Sequence, residues 1–249
     1  MLNRRIAALA LIGSLSLATT AQAWSWGKSE RVKGSGEVVS EVRDLGAFDG
    51  ISLAGSFKVL VRQGSGTKLE LKADKNLLPL IETRVVEGSK GRTLEITPKK
   101  GFSLSSKTEP QITLEVAQLR MIAIAGSGDV RVEAMKTPSV DVSIGGSGEV
   151  DLVDLSSDRL GVQVSGSGDV KASGRTGSLS LSVGGSGDVH ARELQADEVR
   201  ASIAGSGNAT VYAVKTLKIS IAGSGDIAYR GSPQVSSSVA GHGNISKLN

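Results

Sequence analysis

The sequence predicts an all-β protein: a short parallel β-helix, or solenoid, of about 18–20 residues per coil, with an inserted β-meander near its N-terminus. Three observations predict it. Gly-Ser-Gly recurs at a nearly fixed interval through the C-terminal half. On both sides of each recurrence, apolar and polar residues alternate with the strand period of two. The same pattern occurs once more upstream, and the interval is then broken by about fifty residues with an alternation of their own.

The chain opens with Arg4 and Arg5, an apolar run of thirteen residues from Ile6 to Ala18, and the small residues of Ala21-Gln22-Ala23. Residues 1–23 are therefore expected to be a signal peptide for Sec export, since a run of this length falls short of the about twenty residues that span a bilayer. Cysteine is absent, which removes both a disulfide framework and a lipid-anchored cysteine. Without Arg4 and Arg5 the chain carries 27 basic and 25 acidic residues, interleaved along its length, a distribution that gives nucleic-acid binding no support. No later stretch is apolar enough for a transmembrane helix, so the mature chain is expected to be soluble.

Residues 24–40 read as an N-terminal segment and residues 41–249 as one domain. Gly34-Ser35-Gly36-Glu37-Val38 suits a partial coil, and Ile51, Leu53, Gly55, Val59 and Val61 a first full one. Residues 62–119 form the inserted meander, expected to pack against the coil stack. Its strands are expected at 68–71, 93–96 and 111–116, with loops at 88–91 and 99–107 and a short helical turn at 76–81, where Pro79 prevents a longer helix.

Residues 120–249 hold the regular coils. Gly-Ser-Gly begins at Gly126, Gly146, Gly166, Gly185, Gly205 and Gly223, and Gly-His-Gly at Gly241, with spacings of 20, 20, 19, 20, 18 and 18. Two residues before each corner stand Ile124, Ile144, Val164, Val183, Ile203, Ile221 and Val239; four after it stand Val130, Val150, Val170, Val189, Ala209, Ile227 and Ile245. One such coil cannot bury its own apolar face, but a parallel stack joins these columns into a continuous core. Glycine suits a corner that needs positive φ or close approach between coils. The last coil is more polar, and Lys247 and the polar tail are expected to blunt the exposed edge.

Phe48-Asp49-Gly50-Ile51, then Asn76-Leu77-Leu78, then the series of Gly-Ser-Gly-Asp-Val corners resemble the family of exported bacterial proteins described as putative auto-transporter adhesin, head GIN domain, over roughly residues 38–230. The resemblance implies a β-helix-like fold, an envelope or surface location, and no catalytic residues. No translocator barrel follows the repeats, so the chain is not expected to be a complete auto-transporter. The expected partner is an envelope or surface protein or a polysaccharide.

The residues themselves offer few sites. Asp129, Glu149, Asp169, Asp188, Asn208, Asp226 and Asn244 follow the corners as one column. Carboxylates on successive Gly-rich turns can hold calcium, but here only one corner per coil carries an acid. Turn hydrogen bonding by Asp and Asn is the favoured reading. Ala123, Ser143, Gln163, Ser182, Ser202, Ser220 and Ser238 form a small, polar outward column. It suits docking of a polymer or protein, packing against the meander, or simple solvation. Arg131, Asp151, Lys171 and His190 form a charge column that stabilises coil stacking. His190 and His242 lack the neighbours of a zinc site or a triad. Trp24 and Trp26 lie too close to the new N-terminus for a sugar-stacking platform. No metal, cofactor or catalytic residue is therefore assigned. The expected function is that of a non-catalytic envelope binding or adhesion module. A structural periplasmic protein is the alternative, and a carbohydrate-active β-helix enzyme the remote one.

Overall fold

A computed structural model describes residues 29–88 and 91–249. The expected signal peptide and both tryptophans lie outside the described residues. Strands β1 (Glu30–Lys33), β2 (Val38–Asp44), β3 (Gly50–Ala54), β4 (Lys58–Gln63) and β5 (Lys68–Asp74) lead to a 3-10 turn at Leu78–Leu80. Next come β6 (Ile81–Gly88), β7 (Gly91–Pro98), β8 (Phe102–Ser105) and β9 (Gln111–Val116). The coils are built from β10 (Met121–Gly126), β11 (Asp129–Glu133), β12 (Lys136–Gly146), β13 (Glu149–Val164), β14 (Asp169–Val183), β15 (Val189–Gly205) and β16 (Ala209–Gly223). The stack ends with β17 (Ile227–Arg230), β18 (Gln234–Gly241) and β19 (Ile245–Lys247).

The coils stack in parallel and in register, corner on corner. Ile122 pairs with Val142, Val142 with Val162, Val162 with Leu181, Leu181 with Ala201 and Ala201 with Ile219. Inward residues from both sides of each corner merge into one core running the length of the stack. A further buried column on the strand that leads into each corner, Val140, Leu160, Leu179, Val199 and Leu217, widens this core.

The variable repeat length is absorbed away from the glycine corners. Register shifts fall between Leu152 and Leu155, between Lys171 and Ser173, and between Ala191 and Gln195. Here the coil makes its second turn, at which Ala134, Asp154 and Gly174 have φ of 47°, 53° and 112°. A bulge accommodates an extra residue there without disturbing the pairing on either side.

The insertion does more than pack against the stack: its strands extend it. β7 pairs in parallel with β3, and β9 with β4, so these later strands form the level before the Gly55 coil. β10 and β11 pair with the opposite edges of β3 and β4. The chain therefore places the Gly55 coil, then the level below it, and then crosses that coil to begin the level above. Residues 117–120 make the crossing. Arg120 forms an ion pair with Asp49 (2.9 Å) and donates its backbone N–H to the Asp49 carbonyl (2.7 Å). The Gln63 side chain donates to the Ala117 and Lys136 carbonyls and accepts from the Lys136 N–H, bridging backbone that has no strand neighbour there.

Antiparallel strands close this end. β5 pairs with β9, β2 with β5, and β6 with β7. Two expectations are corrected here. Gly34-Ser35-Gly36 is the loop between β1 and β2, not a partial coil. Asp74, 2% exposed, accepts the Gly36 N–H (2.6 Å) and the Ser106 hydroxyl, while Asn76 accepts from Ser35 and donates to Lys33. The expected loop 99–107 contains β8, which pairs in parallel with β1 as a separate two-stranded sheet. The helical turn is present, but only as Leu78–Leu80.

The last coil is the open end. Val235 and Val239 are 40% and 43% exposed, and Ser237 and Lys247 occupy the columns that hold apolar residues in earlier coils. An inward-pointing charge on an edge strand opposes further strand addition.

Candidate binding faces of the solenoid

Both corner glycines are dictated by the neighbouring coil. A Cβ on Gly205 or Gly223 would press into the corner carbonyl of the coil before, and both have positive φ, 146° and 140°. At Gly185 close approach alone excludes a side chain, since its φ is outside the left-handed region. The second glycines, such as Gly148 and Gly168, would drive a Cβ into the corner carbonyls of Gly128 and Gly148 and toward core isoleucines. Between them the serine N–H donates to the preceding coil, as in Ser167 to Gly146 and Ser206 to Gly185, both 2.9 Å. The serine side chains form an exposed ridge.

From Asp169 onward the acidic column turns its side chains to the backbone of the next coil. Asp169 accepts the Asp188 N–H (3.0 Å), Asp188 the Asn208 N–H (2.8 Å), Asn208 the Asp226 N–H (3.1 Å) and Asp226 the Asn244 N–H (2.8 Å). Asn208 also donates its side-chain amide to Asp188 (3.0 Å). Each amide that the ladder would leave open at the corner is thus satisfied, and Asn serves as well as Asp because only a carbonyl-type acceptor is needed. Among the described residues, no three acidic or histidine side chains are grouped so that they could hold a metal ion.

At the insertion end, Asp129 lies in a groove of about 430 Å³ with Lys58, Leu60, Thr113, Arg131 and Glu149 along its walls. Burial, with the nearby carboxylates of Glu109 and Glu149 adding to it, raises the Asp129 carboxyl above its ordinary value. Lys58 is paired instead with Glu109 (2.9 Å).

The charge column beside it alternates as expected. Arg131 pairs with Asp151, and Lys171 with Glu149 (2.8 Å). His190 sits exposed between Lys171 and Thr210, and His242 is exposed at the last corner, so neither is placed in a polar cluster. Exposed pairs of this kind contribute about 0–1 kcal/mol each.

The opposite side of the corner carries the flattest surface. The expected polar column is solvent-facing: Ser143, Gln163, Ser182, Ser202, Ser220 and Ser238 are exposed and in register. The meander does not cover it; the insertion continues it through Ser52 and Glu95. Beside it runs a column of small residues, Ala125, Gly145, Ser165, Gly184, Ala204, Ala222 and Ala240. Nine strands, from β7 to β18, make this face, which at about 4.8 Å per strand is roughly 38 Å long.

Sequence reasoning missed the core column that runs from Val140 to Leu217, the Asp49–Arg120 clamp and the buried Asp74. The first was legible as a third apolar position six residues before each corner. The other two join residues that are distant in sequence and follow no period.

Among solved structures, a putative adhesin from Bacteroides fragilis is 28% identical with a TM-score of 0.81, the match covering 87% of this chain and 100% of the other. A putative lipid binding protein from Parabacteroides distasonis is 29% identical with a TM-score of 0.73, covering 88% and 100%. A putative adhesin from Parabacteroides merdae shares the fold at 22% identity and a TM-score of 0.63, covering 89% and 100%. No curated protein matches the sequence. Residues 47–233, the span of the first coil, the insertion and the glycine-cornered coils, match one family along their whole length, and the chain belongs to that family, putative auto-transporter adhesin, head GIN domain.

Proposed function

We propose that this protein is a non-catalytic, exported module of the cell envelope that holds a surface partner along the flat side of its solenoid. The observation that carries the reading is the exposed, in-register polar face running through every coil level. Its central column is mostly serine, Ser143, Ser182, Ser202, Ser220 and Ser238, so a partner meets a nearly planar surface there and little rotamer entropy is lost on contact. The adhesin relatives support the adhesion-type reading. The partner is a surface protein or a polysaccharide. Export is assigned to the signal-like segment 1–23, leaving 24–40 as a lead-in and 41–249 as one domain.

The test is protease accessibility of the tagged protein on intact cells, beside a periplasmic control. Digestion on intact cells is the expected result. Protection that is lost only when the envelope is opened would confine the protein to the periplasm and remove the adhesion reading, in favour of a structural role there.

A further inference from the structure

Many charges on the coil faces are compensated by a partner on the same or the next coil. Arg159 pairs with Asp141, Lys215 with Asp197, Arg131 with Asp151 and Lys171 with Glu149. The stacked acids of the corner column are like charges, but those from Asp169 onward accept backbone N–H groups from the next coil. One pair on the flat face lacks such a partner. Arg200 and Lys218 stand directly opposite each other on adjacent coils, both exposed. Neither is among the ion pairs or side-chain hydrogen bonds formed by the described residues, and Glu198, two residues before Arg200, is in none either. Like charges directly opposite on neighbouring strands destabilise a sheet. A pair of cations kept together without compensation calls for an anion from outside.

The surroundings specify what kind of anion. Ser180 precedes Arg200 in the column and Ser236 follows Lys218. Ser202 and Ser220 lie beside them on the same strands and pair with each other. Two cations are thus framed by hydroxyls that both donate and accept. The flat face carries no aromatic residue in its three outward columns, and its only large apolar side chain is Met121, several coils away. A membrane-docking face is built from exposed apolar residues under a basic rim, and a protein interface from aromatic or arginine anchors in pockets. Neither is present. A flat hydroxylated track with a cationic pair fits a linear polyol carrying acid groups.

We infer that the flat face binds an acidic polysaccharide, with Arg200 and Lys218 gripping its anionic groups and the flanking serines its hydroxyls. The inference rests on the proposed binding role and names the ligand class of that same face.

The experiment measures retention of the mature protein on immobilised polygalacturonate, neutral dextran, and phosphatidylglycerol–phosphatidylcholine vesicles at low salt. The parent is expected to bind polygalacturonate, to ignore dextran and to bind vesicles far more weakly. The double variant Arg200→Ser/Lys218→Ser, which installs the residue found at 180 and 236, should melt no lower than the parent and bind polygalacturonate at least tenfold more weakly. Lys99→Ser/Lys100→Ser removes the same charge from an exposed loop and should bind like the parent. Equal binding by the double variant, equal loss in the loop variant, preference for vesicles, or no binding to polygalacturonate overturns the inference. Surface exposure on intact cells is read separately, so the adhesion reading can survive that result or fail without it.

Discussion

The distance between glycine corners is a tight constraint repeated in every coil, and two neighbouring residues isolate it. Gly184 and Gly185 are adjacent, yet a Cβ on Gly184 would meet only the Val164 carbonyl, at 3.9 Å. A Cβ on Gly185 would overlap the Gly166 carbonyl oxygen and stand 3.0 Å from the Gly166 nitrogen and 3.1 Å from its carbonyl carbon. That oxygen accepts from Ser186 at 2.9 Å and Gly187 at 3.1 Å. Making room means parting the coils where both bonds form. Overpacking typically costs about 1–3 kcal/mol, and weakening one of the two bonds adds about 1 kcal/mol. Gly185→Ala is therefore expected to lose about 2–4 kcal/mol, or roughly 5–15 °C in melting temperature for a domain of this size. Gly184→Ala should be neutral or slightly stabilising, because Ala already fills that column at 125, 204, 222 and 240 and extended backbone favours it over Gly by about 0.5–1 kcal/mol. Thermal and urea melts followed by circular dichroism measure both. Equal melting of the two variants would refute the close-approach argument. Gly205→Ala adds a φ of 146° to the same overlap and should fall at least as far as Gly185→Ala.

Three further outcomes are expected. Asp188→Ala removes the acceptor for the Asn208 N–H and should cost about 1 kcal/mol in urea melts, whereas Asp188→Asn keeps an oxygen there and should be nearly neutral; similar losses in both would show that charge, not the acceptor, matters. EDTA should leave the melting temperature of the parent within error, since the column's oxygens are bound to amides, and a large calcium-dependent rise would reassign the column as a metal site. Because the folded state raises the Asp129 carboxyl above its ordinary value, that state holds the proton more tightly than the unfolded chain does. The stabilisation is full below the unfolded value and lost as pH rises through the folded one. Asp129→Asn should thus be more stable than the parent at neutral pH, with the gap closing at acid pH below the ordinary carboxylate range; a gap independent of pH would rule out the ionisation argument.

The repeat made most of the fold legible. A corner that admits only glycine, flanked by period-two alternation, repeats its physical requirement in every coil, so the Gly126 to Gly241 series reveals register, core columns and outward faces without any long-range information. The same logic exposed the outward serine column and the acidic column as columns. What the residues alone left open was what those columns touch. The acids could have faced calcium or amides, and the coil spacing brings the carboxylates of Asp169, Asp188 and Asp226 within 2.8–3.0 Å of the next coil's N–H.

The insertion shows where a period stops helping. Its strands at β7 and β9 were visible as alternation, but alternation says only that one side of a strand is buried, and many partners satisfy that. Stacking below the Gly55 coil buries their apolar side chains on β3 and β4 and leaves antiparallel strands to close the end. The crossing at residues 117–120, the Asp49–Arg120 clamp and buried Asp74 depend on pairs far apart in sequence, and nothing local records them. Arg200 and Lys218 are two ordinary exposed cations in the sequence, 18 residues apart. Each stands five residues before its corner glycine, so the corner series already puts them in one column, and the structure shows them opposite each other with neither in an ion pair. The sequence by itself thus determined the repeating unit, because glycine corners and alternating strands are local requirements. The tertiary structure decided the order of the levels and the closure of the end, because these depend on which distant segments share a sheet edge.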